Sequence, residues 1–307
     1  AVSVFSYRNA STLLKESTQR EMMTRVELDA EKISEMVEEQ RGILDGLTEA
    51  WTAGMPSNEA FAPVGQSFMK REDINTLFIG FPERDFLDSE EGVVPKAEFD
   101  ATTRDWYKDA VQNDGVQLSD VYMDSFKNIK VVTLSKAVRN NGELLGVVAA
   151  DVRFENIEKK VASFKVGKTG EAFMLDAGGH FICHPVLTLN DKIQDEGEDK
   201  EKTYLSREPI FFEGSYQDVA MFYAVHPVGD TGWNLVLFVP QEEVFADIAH
   251  LKWLMIGCAL FAPGAHGRHP LLHRPLHLAS YRKSRIRRCQ GGEGRPLDEA
   301  HANRSSG

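Results

Sequence analysis

Positive charge is what this 307-residue chain has too little of: 35 lysines and arginines stand against 47 aspartates and glutamates, a formal net charge of −12. The deficit is uneven. The first 262 residues carry 26 basic and 44 acidic residues, whereas residues 263–307 carry 9 and 3. So acidic a body repels phosphate at long range, which argues against a nucleic-acid partner. Cysteine is scarce too. Cys183, Cys258 and Cys289 are odd in number and far apart, so they spell neither a zinc-type spacing nor the disulfide framework of a small secreted domain. The sequence has no phosphate loop, no G-x-S-x-G, no H-E-x-x-H and no kinase signature. On that reading the chain is not an enzyme, and no catalytic residue, cofactor or metal is assigned.

Long apolar runs are missing as well. The run "LKWLMIGCALFA" (251–262) covers about half of the ~20 residues that a spanning helix needs. With Lys252 and Trp253 at its front, as at a membrane interface, residues 249–262 read as the start of a transmembrane helix, with a buried helix as the alternative. The opening "AVSVF" reads as the end of a hydrophobic span. From Pro263 onward there is no Val, Phe, Met or Trp, and 8 of the chain's 18 arginines fall there. His266, His269, His273 and His277 would make one metal-binding face on a helix, but Pro270 and Pro275 stand between them. Residues 263–307 therefore read as an out-of-frame or disordered tail, and a His-rich metal-binding protein would rest on that tail alone.

What is present is periodicity. Val26, Ala30, Ile33, Val37, Leu44, Leu47 and Trp51 recur at helical spacing with charge between them, so residues 6–54 read as one helix about 70 Å long. Gln40 interrupts the stripe and Gly42 and Gly46 weaken it, leaving two shorter helices as the alternative. Beyond "AGMPSNEA" the pattern turns to strands. "NTLFIGF" (75–81) and part of "GVQLSDVYMD" (115–124) are strand-like, and two β-rich runs meet at Asn140-Asn141-Gly142, a hairpin signal. "ENIEKKVASF" is helical. "GEAFMLDAGGHFICHP" then reads as a second hairpin, and "SYQDVAMFYAVHP" pairs with "GWNLVLFVP" across "VGDTG". His180 and His184 flank a turn and read as surface residues.

The stretch "FDATTRDWYKDA" (99–110) concentrates rings and charge. Trp106 and Tyr107, with Ala110 and Val111, are spaced as on a core-facing helix, and Arg104 could pair with Asp100 on the surface. Phe99 reads as core. Yet Arg104 also offers a planar fork for a carboxylate and Trp106 an N–H donor. Asp124 and Asp151, on separate predicted strands, can both accept from an ammonium, while Tyr107 and Tyr122 supply rings and hydroxyls. A free amino acid needs such a pair of opposite walls.

The quoted runs "RDWYKDA", "SDVYMDSFKNIKVVTLSKAV", "GVVAADV" and "VGKTGEAFMLDAGGHFICHP" give the chain a resemblance. Over about residues 6–262 it resembles the extracellular double Cache domain of bacterial methyl-accepting chemotaxis receptors, in their amino-acid-binding group. The resemblance implies an α/β fold: a long N-terminal stalk helix (1–54) carries two PAS-like modules, a membrane-distal, ligand-binding one (55–164) and a membrane-proximal one (165–248). It places the ligand on Arg104, Trp106, Tyr107, Tyr122, Asp124 and Asp151. Phe99 departs from the tyrosine that members of the group often carry there. The resemblance further implies a small amino acid as ligand, with a small amine as the alternative, a homodimer through the stalk helix, and an inner-membrane receptor whose sensor is periplasmic. A histidine kinase or cyclase carrying the same ectodomain is the alternative output.

Overall fold

The computed structural model describes residues 2–246 and 248, apart from 72, 84, 125–126 and 194–202. The predicted transmembrane start and the tail lie outside the described residues. Among the described residues no helix is long and apolar enough to cross a membrane.

One helix, α1 (Val2–Ala50), runs unbroken through both glycines. Gly42 and Gly46 face open space, so they cost propensity but leave no gap in the packed face. The stripe predicted from spacing is buried, but against the chain's own sheets: Val26, Ala30, Ile33, Val37 and Leu44 join the main core, with Leu47 and Trp51 at its edge. Gln40 belongs to the same buried face, and its Nε2 donates to Asp73 Oδ2. The interruption in the stripe is thus a polar tether. Leu13 and Leu28 stay exposed on α1.

A short helix α2 (Asn58–Met69), capped by Ser57, follows. The sequence reading missed it because Gly54 ahead of it and Pro63 and Gly65 within it look like loop; burial of Phe61 and Gly65 overrides that local signal. The first sheet then forms from β1 (Ile74–Gly80), β2 (Phe86–Asp88), β3 (Gly92–Val94), β4 (Gln117–Leu118), β5 (Tyr122–Met123), β6 (Lys130–Asn140) and β7 (Glu143–Arg153), in the order β3-β2-β1-β7-β6-β4 with β5 also on β6. Between β3 and β4 lie a 3₁₀ turn (Ala101–Thr103) and helix α3 (Asp105–Gln112). The β6–β7 hairpin turns where the sequence placed it, with Asn141 at φ 49° and Gly142 at φ 88°.

Helix α4 (Glu155–Ala162) leads to a second, five-stranded sheet of β8 (Glu171–Leu175), β9 (Phe181–Cys183), β10 (Ile210–Tyr216), β11 (Val219–Pro227) and β12 (Asn234–Pro240), ordered β10-β11-β12-β8-β9. Here "SYQDVAMFYAVHP" is not one strand. Gln217 and Asp218 take φ of 49° and 65° and fold it into the β10–β11 hairpin, a turn that glutamine does not advertise. One core runs through α1, α4 and the inner faces of both sheets.

Candidate functional site

The first sheet has two unlike faces. Leu77, Ile79, Leu134, Val148 and Ala150 point into the main core. On the other face Thr76, Asp151 and Thr133 lie side by side on three neighbouring strands, with Phe78, Ala149 and Ser135 in the next row. Strand period therefore sends Ala150 to the core and Asp151 to the opposite side. A bulge in β1 at Asn75 interrupts that period, so Asn75 and Thr76, although adjacent, both face outward from the main core.

Over this face lies a cavity of about 470 Å³, walled by β1, the β2–β3 hairpin, the segment leading into α3, β5 and β7. Five of the six predicted residues line it: Arg104, Trp106, Tyr122, Asp124 and Asp151. Tyr107 does not. Adjacent positions on a helix point about 100° apart, so once α3 turns Trp106 to the cavity, Tyr107 goes down into the core. It is 5 % exposed, and its hydroxyl has no hydrogen-bond partner among the described residues. Its ring meets Trp106 edge-on at 5.8 Å and props it. Phe99, read as core, packs on the core cluster around Phe78 and Phe86 and also forms part of the cavity wall, 5.4 Å from the Arg104 guanidinium and 4.6 Å from the Phe86 ring.

Arg104 sits between the 3₁₀ turn and α3 with extended backbone. Asp100 does not pair with it; that carboxylate caps the turn through the Thr102 N–H and hydroxyl. Arg104 has no carboxylate partner among the described residues, and its guanidinium rests on Phe99 alone. Trp106 packs edge-on against Phe78 at 5.1 Å. Gly80 makes room for it: a Cβ there would lie 2.8 Å from Ala101 Cβ, 2.9 Å from Trp106 Cη2 and 3.0 Å from Tyr107 Cδ2. Gly80→Ala is expected to overpack this corner and destabilise the fold by about 1–3 kcal/mol. A thermal melt checks this, and an unchanged midpoint would mean that α3 shifts freely.

The acidic wall is built from polar hydrogen bonds. Asp151, 7 % exposed, accepts from the Thr133 hydroxyl at 2.7 Å and from Tyr122 Oη at 3.2 Å. Burial pushes its carboxyl up to about 6; the two hydroxyls oppose the rise, and Asp124 and Asp88 add to it. The Tyr122 hydroxyl is likewise raised, by burial and then by Asp151. Asp124 accepts from Asn75 Nδ2 at 3.0 Å and from the Lys127 N–H at 3.1 Å. Sequence reasoning missed Asn75, Asp88 and Lys127, because a bulge and two charged turns carry no local mark of a pocket. Among the described residues no cluster of His, Cys, Asp and Glu is arranged to hold a metal ion.

The second sheet offers far less room. Its aromatic cluster leaves a void of about 30 Å³, and its described lining includes Phe173, His184, Tyr204 and Tyr223 but no arginine or aspartate. His184, expected at the surface, is half-buried against Phe173 and Phe181, and its Nδ1 accepts from the Val186 and Leu187 N–H groups.

The sequence profile of the Cache domain family matches residues 6–248, which include both sheets and the cavity. The chain belongs to the Cache domain family. Its relatives are methyl-accepting chemotaxis proteins. McpA of Bacillus subtilis is 22% identical over 267 residues, 84% of this chain and 39% of McpA. McpC of the same species is 31% identical over 147 residues, 46% of this chain and 21% of McpC. The chain thus spans well under half the length of these curated relatives. Among solved structures, the ligand-binding domain of the Pseudomonas aeruginosa amino acid chemoreceptor PctC, with GABA, superposes at a TM-score of 0.60 with 22% identity, covering 75% of this chain and 99% of that one. The ligand-binding domain of Pseudomonas fluorescens CtaA, with L-isoleucine, gives 0.63 and 18%, covering 79% and 99%. At these identities the likeness is one of fold.

Proposed function

We propose that this chain is the sensor part of a chemotaxis receptor and that it binds a free amino acid in the cavity of the first sheet. One observation carries the reading: a guanidinium with no carboxylate partner and a buried aspartate with no cationic partner among the described residues face one aromatic-walled cavity. The Arg104 fork suits an α-carboxylate, with the Trp106 N–H as an added donor. Asp151 and Asp124 suit the α-ammonium, and Tyr122 closes the site beside them. Similar folds have been solved with amino acids bound, L-Arg in PctB and L-isoleucine in CtaA among them.

On this reading the architecture is a double Cache, with the first sheet in the membrane-distal module and the second in the membrane-proximal one, which relays movement. The receptor is anchored in the inner membrane with this part in the periplasm, and it dimerises through the outward side of α1, where Leu13 and Leu28 are exposed. The ligand biases an existing equilibrium of helix positions. The relatives' names favour this output over a kinase or cyclase.

A thermal-shift and calorimetric screen of the chain against the twenty amino acids and small amines tests the reading, and pH sharpens it. Asp151 must be ionised to hold an ammonium, so affinity is expected to fall as the pH drops through about 6. The unliganded fold should respond in the opposite sense. A carboxyl raised from 3.8 to about 6 contributes stability that is fully present below its unfolded value and is lost as pH rises through 6. If the amino acid that binds at pH 7.5 binds equally well at pH 5, Asp151 is not its ammonium partner.

A further inference from the structure

The cavity's charge is lopsided beyond what an ordinary amino acid corrects. Among the described residues, five carboxylates line it, Asp88, Glu90, Glu91, Asp124 and Asp151, against two cations, Arg104 and Lys127, an excess of three negative charges. Lys127 is already committed: its Nζ lies 2.6 Å from Glu90 Oε2 and 3.2 Å from Asn75 Oδ1. A zwitterion adds no net charge, so it leaves that excess in place. Asp88 is the half-buried member of the hairpin wall and has no cationic partner among the described residues. Its contacts are neutral donors: the N–H groups of Glu90 at 2.7 Å and Glu91 at 3.0 Å, and the Thr76 hydroxyl at 3.4 Å.

The register sets the reach. Asp151 pairs with Thr76 on β1, and Asp88, on the far side of β1, leans back toward the same Thr76. Asp88 itself pairs with Phe78, two residues along β1 from Thr76, so the two backbones are two strand spacings across and two residues along, roughly 12 Å apart, and both side chains line the cavity over β1. Phe78 and Phe86, 5.5 Å apart, form the wall beside that gap. Such a wall packs methylenes and attracts a cation over its rings.

Resting on the amino-acid reading above, we propose that the ligand is an amino acid whose side chain ends in a cation, an ammonium or a guanidinium, and that Asp88 receives it. The α-ammonium sits at Asp151 and Asp124, the stem crosses Phe78 and Phe86, and the terminal charge meets Asp88. Acidic side chains are excluded by the same wall.

Calorimetry on the whole chain with L-lysine, L-ornithine and L-arginine against the uncharged L-norleucine and L-norvaline tests this. At least one cationic ligand is expected to bind ~10-fold or more tightly than its uncharged isostere, because truncating one partner of a desolvated charge pair costs at least that. Asp88→Asn keeps an oxygen for the Glu90 and Glu91 N–H groups, so the hairpin should hold, and the preference should shrink to about threefold or less. Uncharged isosteres that bind as tightly as every cationic ligand overturn the proposal, as does an undiminished preference in folded Asp88→Asn. If Asp88→Asn does not fold, the wild-type comparison still decides. If no amino acid binds at all, the underlying site reading fails with it, a result distinct from binding without preference.

Discussion

Arg104→Ala is expected to weaken amino-acid binding by at least ~30-fold while leaving the fold intact. Removing one member of a charge pair that the ligand desolvates typically costs about 2–5 kcal/mol of affinity, and about 1.4 kcal/mol is tenfold. The fold should tolerate the change because Arg104 is exposed and makes no ion pair among the described residues, where its guanidinium rests only on the Phe99 ring. Surface changes of that kind usually stay within ~0.5 kcal/mol of stability. Calorimetry paired with a thermal melt measures both. A folded Arg104→Ala chain that binds the amino acid as tightly as wild type removes the carboxylate role, and a simple amine held by Asp124 and Asp151 becomes the better ligand.

Asp151→Asn should cost at least as much affinity, at least ~30-fold, yet raise the stability of the unliganded protein near neutral pH. An asparagine oxygen still accepts from the Thr133 and Tyr122 hydroxyls, so the network of this wall survives. The ammonium loses its buried counter-charge, so binding suffers. Folding gains because wild type must ionise a carboxyl that burial, Asp124 and Asp88 hold up at about 6. The variant should also lose most of the pH dependence of binding between 5 and 7. Wild-type affinity in a folded Asp151→Asn chain would place the ammonium elsewhere. A lowered melting point would mean that the hydroxyl network, not the charge, dominates this wall.

Much of the fold was legible in the sequence. The stripe from Val26 to Trp51 announced α1, and Asn141-Gly142 announced the β6–β7 hairpin, because helical period and positive-φ turn residues are local properties. What the stripe packs against was not legible. The same apolar face suits a partner helix or a sheet, and the structure gives it to the chain's own sheets. Helix α2 and the Gln217-Asp218 turn were missed for the converse reason: their local residues disfavour what tertiary packing imposes.

The candidate site divides the same way. By itself the sequence determined which chemistry was available, an acidic body with one cluster of Arg104, Trp106 and Tyr107 followed by Tyr122, Asp124 and Asp151. Only the tertiary structure decided which of these residues share a cavity. It sent Tyr107 into the core by the helical turn that sends Trp106 to the cavity, and it made Phe99, packed on the core beneath the site, part of the cavity wall as well. It also brought Asn75 in through a bulge and Asp88 through an edge hairpin. Those placements depend on strand register and on pairing between segments dozens of residues apart. No short window of sequence carries that information, because the energy that fixes a register lies in the neighbouring strand.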